Sequence, residues 1–204
     1  MSTESDNTAP SLEVALEISP STYQQHDWEG VPALSIRATL DPSVAGPITV
    51  MTFGTIFNPR LALQRRNFFA QEITSDPPRT VNFEMTKGPK RSALQRKKGS
   101  SDERHYITFH PGQEMIVKQP FSIVRRSKTE VQVAGSEVGD RSFRVGHTYR
   151  FGVSEEGKEM KTWWWGTKDD GLDEPEGPCK DVANVQGEGL VRITAHTAEF
   201  TIAE

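Results

Sequence analysis

With 204 residues, 24 Lys or Arg against 28 Asp or Glu and a net charge of −4, the chain has room for one large sandwich or two small domains and lacks the basic excess that general nucleic-acid binding needs. The single Cys179 excludes an internal disulfide, the opening Met1 to Ser11 lacks the basic and apolar regions of a secretory signal, and no apolar run approaches the roughly 18 residues that span a bilayer. These features predict a cytoplasmic protein with neither a membrane nor a nucleic acid as partner.

Met1 to Pro10 is polar and reads as a disordered tail, with one domain following from residue 11 to 204. Leu12, Val14, Leu16 and Ile18 alternate with polar or small residues, as in a half-buried strand, and Leu34, Ile36, Ala38 and Leu40 repeat the pattern. Together they predict the first hairpin-like pair. Ile48 to Phe57 is apolar on both faces and reads as a central strand. Asn58-Pro59 then offers a helix N-cap with proline at the first helical position, predicting a turn or two through Leu63. Phe68 to Ile73 and Thr80 to Met85 read as strands around a Ser-Asp-Pro-Pro turn.

Lys87 to Asp102 has six basic residues and no apolar period, which predicts a long surface loop. His105 to Phe109 and Met115 to Val124 resume the strands, the second with a Pro120 that marks an edge or bulge. Thr129 to Val133 and Ser142 to Val145 are short candidates. In Gly146-His147-Thr148-Tyr149-Arg150-Phe151-Gly152-Val153 a tight turn opens a strand with Tyr149, Phe151 and Val153 on one face. A Tyr three residues after a turn glycine resembles a tyrosine corner, so Tyr149 is the expected structural anchor. Trp163-Trp164-Trp165 forms another strand, an acidic loop follows, and Leu190 to Ile202 closes the chain as one long strand or two broken ones. The pattern predicts an all-β fold: an antiparallel immunoglobulin-like sandwich of about nine strands with at most short helical turns.

The order of four landmarks resembles a family. Leu12-Glu13-Val14-Ala15-Leu16, the Ile48 to Phe57 run into Asn58-Pro59, Phe109-His110-Pro111-Gly112-Gln113, and Gly146 to Phe151 look like small uncharacterised immunoglobulin-like β-sandwich proteins of filamentous fungi. The likeness to immunoglobulin-like propeptides of deuterolysin-type metalloproteases and to intracellular proteinase inhibitors of bacilli is weaker. It implies an inhibitory or chaperone-like binding surface on loops or an edge strand.

Candidate chemistry is sparse. The five His residues are scattered, the acids at 169, 170, 173, 174 and 176 lack the spacing of a calcium loop, and no nucleophile elbow or phosphate loop is present, so neither a metal nor a cofactor is expected. An acidic neighbourhood disfavours the Cys179 thiolate. Alternation places Trp163 and Trp165 on one face of their strand and Trp164 on the other, so either a loop covers the second face or an indole stays exposed as a binding platform. Lys87 to Arg104 holds seven basic residues against two acids, and Ser154 to Glu176 eight acids against three Lys. These are either two solvated loops of opposite sign or segments that attract each other, within one molecule or between two in a homodimer.

The expected function is a binding or interaction module. Trp163, Trp164 and Trp165 would supply apolar contact, and Lys87, Lys90, Arg91, Arg96, Lys97 and Lys98 would supply charge, toward a protein or a small apolar ligand. The alternatives are a small cofactor-free enzyme acting on a hydrophobic metabolite in an inter-sheet cavity, and an intracellular protease inhibitor.

Overall fold

The computed structural model describes residues 9–24, 31–81, 83, 95–121, 124–126, 131–133, 143–174 and 189–203. Of the expected tail Met1 to Pro10, residues 1–8 lie outside them, while Pro10 is buried and its carbonyl accepts from the Arg192 N–H at 3.2 Å. In chain order the elements are β1 (Ser11–Ser19), β2 (Thr22–Gln24), β3 (Ala33–Leu40), β4 (Ile48–Met51), α1 (Pro59–Leu63), β5 (Phe68–Glu72), β6 (Arg79–Val81), β7 (Tyr106–Phe109), β8 (Glu114–Pro120), β9 (Val124–Arg126), β10 (Val131–Val133), β11 (Thr148–Val153), β12 (Glu159–Met160), β13 (Trp163–Trp165), α2 (Lys168–Gly171), β14 (Val191–His196) and β15 (Ala198–Ala203). Among the described residues no helix is long and apolar enough to cross a membrane.

The protein is an all-β, sandwich-like fold. One five-stranded sheet runs β12, β14, β1, β3, β8; a second runs β2, β15, β11, β5, β6; a three-stranded sheet runs β13, β4, β7, and β9 pairs with β10. Period-2 alternation does what it predicts: Leu12, Val14, Leu16 and Ile18 of β1 and Leu34, Ile36, Ala38 and Leu40 of β3 are buried. They join Phe68, Ala70, Tyr149, Phe151, Val153, Phe200 and Ile202 of the second sheet in one core. Leu190 to Ile202 is broken at Thr197, and its halves β14 and β15 enter different sheets, tying the two together.

Several expectations need adjustment. The expected Ile48 to Phe57 strand ends at Met51: the Thr52 carbonyl accepts from the Thr55 N–H and hydroxyl, and the His105 N–H donates to the Asp102 carbonyl, so these two groups do not pair with each other to continue the ladder. Gly54 closes that turn at φ 81°, a conformation that favours glycine. Pairing is parallel between β1 and β14 and between β15 and β2, antiparallel elsewhere. The strands number fifteen among the described residues, because short ones such as β2, β6 and β12 flank the long ones. Ser142 to Val145 is no strand over the described residues 143–145.

The turn before β11 takes the tyrosine-corner form. The Arg144 N–H donates to Tyr149 Oη at 2.6 Å, and the ring is wholly buried beside Phe143 and Phe200. Tyr149→Phe keeps the ring and removes that acceptor, so it is expected to cost about 1 kcal/mol in a urea melt. An unchanged midpoint would mean that water replaces the hydroxyl at no cost.

Candidate interaction site

β13 pairs with β4 so that Trp163, Trp164 and Trp165 lie opposite Val50, Thr49 and Ile48. Alternation puts Trp163 into the main core at 1% exposure, its Nε1 donating to the Gly189 carbonyl at 3.1 Å. Trp164, on the opposite face, is 2% exposed and packs with Tyr106 and Leu172 in a second, smaller core. Of the two outcomes open to the Trp run, the loop-covered one applies. Trp163 and Trp164 therefore offer no free ring for a partner, and only Trp165, half-buried against the main core, retains surface.

The cover over Trp164 is the segment around α2. Trp164 Nε1 donates to the Thr167 carbonyl at 3.0 Å, and Asp170 closes a capping box on Thr167. Gly171 has to be glycine, because a Cβ there would overlap the indole. Residues 96–98 of the basic loop complete the cover: the Asp173 N–H donates to the Arg96 carbonyl at 2.9 Å and the Lys98 N–H to the Asp173 carbonyl at 2.8 Å, a parallel bridge. The Arg96 guanidinium lies 5.9 Å from the Trp164 ring centre, in cation–π range. Lys98 Nζ pairs with Glu174 at 2.6 Å and Asp169 at 3.4 Å, and the Glu174 hydrogen bond leads in raising the Lys98 pKa above its usual value.

The oppositely charged segments thus meet within one molecule. Lys97 points outward and is exposed. Lys87, Lys90 and Arg91 lie outside the described residues, as do Glu176 and Cys179.

A second polar cluster was not legible as a site. Glu72 of β5 is 0% exposed, yet three partners converge on it. Arg79 donates from Nε at 2.9 Å and from a terminal nitrogen at 2.5 Å to one carboxylate oxygen. His147 Nδ1, 2.8 Å away, and the Ser75 hydroxyl serve the other. Thr74 Oγ1 lies 3.1 Å from the same imidazole nitrogen. Sheet register builds this row, since Tyr149 of β11 lies opposite Glu72, which lies opposite Arg79 of β6. Burial pushes the Glu72 pKa up, but the hydrogen bonds from Ser75, Arg79 and His147 and the Arg79 charge outweigh it and hold it at about 2. Period 2 contained the signal: Glu72 shares the inward face with Phe68 and Ala70.

An open groove of about 370 Å³ lies at the ends of β1 and β3, lined by Leu12, Glu13, Leu40, Asp41 and Thr194 among others. Trp163, Trp164 and Trp165 do not line it. Among the described residues no group of three His, Cys, Asp or Glu side chains is placed to hold a metal ion. Comparison with protein-family models, curated proteins and solved structures returns no match.

Proposed function

We propose that the protein is an interaction module that binds an acidic protein segment through its basic loop. One observation carries this reading: residues 96–98 are held by the Asp173 bridge and the Trp164 ring so that Lys97 is displayed at a fixed place. With its backbone already held, Lys97 has only side-chain freedom left to lose when a carboxylate arrives, so more of the attraction appears as affinity. The tyrosine-corner geometry supports an immunoglobulin-like scaffold beneath the loop, and the lone cysteine supports a cytoplasmic setting.

Fluorescence anisotropy with a labelled polyglutamate peptide tests the reading. Binding is expected at low ionic strength, to weaken as salt is raised, and to fall at least about threefold in Lys97→Glu with the thermal midpoint unchanged. Equal binding by wild type and Lys97→Glu, or no binding by either, would overturn it.

A second reading, a small cofactor-free enzyme, is favoured by one observation. Buried Glu72 fixes His147 through Nδ1, while Nε2 has no partner among the described residues and the side chain is 33% exposed. A carboxylate-oriented imidazole is a general-base arrangement. Hydrolysis of p-nitrophenyl acetate by wild type at least about tenfold faster than by His147→Gln would support it; equal rates would remove it.

A further inference from the structure

β8 is the outermost strand of its five-stranded sheet, and no described strand pairs with its far edge. Its residues alternate between exposed and half-buried along the whole length, with Ile116 at the centre 43% exposed. Sheet register shows where its backbone groups point. The Phe121 N–H donates to the Pro32 carbonyl at 2.7 Å, in step with the β3–β8 pairing of Ala33 with Pro120 and Leu34 with Gln119. Stepping back by two, the N–H and C=O of Met115, Val117 and Gln119 face β3, so those of Glu114, Ile116 and Lys118 face the open edge. Pro120 has no N–H to offer there and bounds the open stretch on one side. The His110–Gln113 turn bounds it on the other.

We infer that this edge pairs with the same edge of a second copy of the chain, antiparallel and centred on Ile116. In that register Ile116 lies opposite its own copy, Glu114 opposite Lys118, and Lys118 opposite Glu114. All three pairs use the outward-facing backbone groups, closing six intermolecular hydrogen bonds, two per pair in the antiparallel geometry. The half-buried Met115 and Val117, which pack against the core of their own subunit, lie opposite each other across the axis and extend the apolar layer. The strand is therefore complementary to itself in backbone, apolar contact and charge, which is what an isologous two-fold interface requires.

Charge also selects the arrangement. Glu114 already approaches Arg37 at 3.4 Å, whereas Lys118 has no ion-pair partner among the described residues. Parallel in-register pairing would set Lys118 against Lys118 and Glu114 against Glu114; antiparallel pairing sets each against its opposite. An edge lysine that repels foreign strands is here matched by an acid on the same strand. Because five residues on each side form a small interface, the dimer is a reversible, concentration-dependent one.

Sedimentation velocity on the full chain across a concentration series at low salt tests the inference. A monomer–dimer equilibrium is expected. Lys118→Glu and Glu114→Lys, each setting like charges opposite one another twice, are expected to raise the dissociation constant at least about tenfold, and the double swap to return it to within about threefold of wild type. Ile116→Lys, at an exposed position, is expected to abolish the dimer with the thermal midpoint preserved. A wild type that stays monomeric at every concentration, assembly beyond a dimer, a dimer that survives Ile116→Lys, or a double swap that fails to restore association would each overturn the inference. The charge swap stays decisive if Ile116→Lys folds poorly, because both its positions are exposed.

Discussion

Trp164→Ala is expected to destabilise the protein by about 3–5 kcal/mol, the usual range for removing a buried Trp. The indole is the largest part of the small core formed with Tyr106 and Leu172, and its loss leaves a void under α2. The loss also has a local signature. The amides of Lys98 and Asp173, which close the bridge over the ring, are expected to lose hydrogen-exchange protection before the amides of β1 and β3 do. Gly171→Ala should show the same local loosening from the opposite direction, by pushing the cover off the ring. A Trp164→Ala variant within about 1 kcal/mol of wild type, with Lys98 and Asp173 still protected, would show that the loop positions itself without the indole.

Acid should unfold this protein through Glu72. The folded-state pKa of about 2 lies below the ordinary 4.5, so the carboxylate contributes its full stabilisation above about pH 4.5 and loses it as pH falls through the interval to about 2. The whole contribution is about 3 kcal/mol. Glu72→Ala, which leaves the Arg79 guanidinium and the His147 imidazole without their shared acceptor, is expected to cost about 3–5 kcal/mol at neutral pH. Glu72→Gln keeps the shape and removes the charge, so its urea midpoint should lie below that of wild type at pH 7 and converge with it only as pH falls to about 2. Wild-type and Glu72→Gln midpoints that run parallel across that range would show that the acid sensitivity resides elsewhere.

Much of this molecule was legible in residue order because the cause was local. Alternation of apolar and polar side chains placed β1, β3, β5 and β11 and their buried faces, Pro59 placed α1, and the Gly146–Tyr149 spacing placed the corner. It also restricted the tryptophans to two faces, though not to which face would be covered. The segregation of charge between 87–104 and 154–176 was legible too, but not its consequence. The Lys98 contacts with Asp169 and Glu174 join residues more than 70 positions apart, so only the folded chain could turn attraction in composition into a bridge.

The composition and periodicity of this chain determined by themselves that it would be built of strands around an apolar core, with Tyr149 inside it. Those outcomes follow from side-chain partition between water and an apolar interior, which each residue settles with its near neighbours. The tertiary structure alone decided that Trp164 would be roofed by Gly171 and Arg96, that Glu72 would find Arg79 and His147, and that β8 would be outermost among the described strands of its sheet. Each of those depends on sheet order and register, which bring distant segments side by side, and short-range pattern carries no information about which strand becomes whose neighbour.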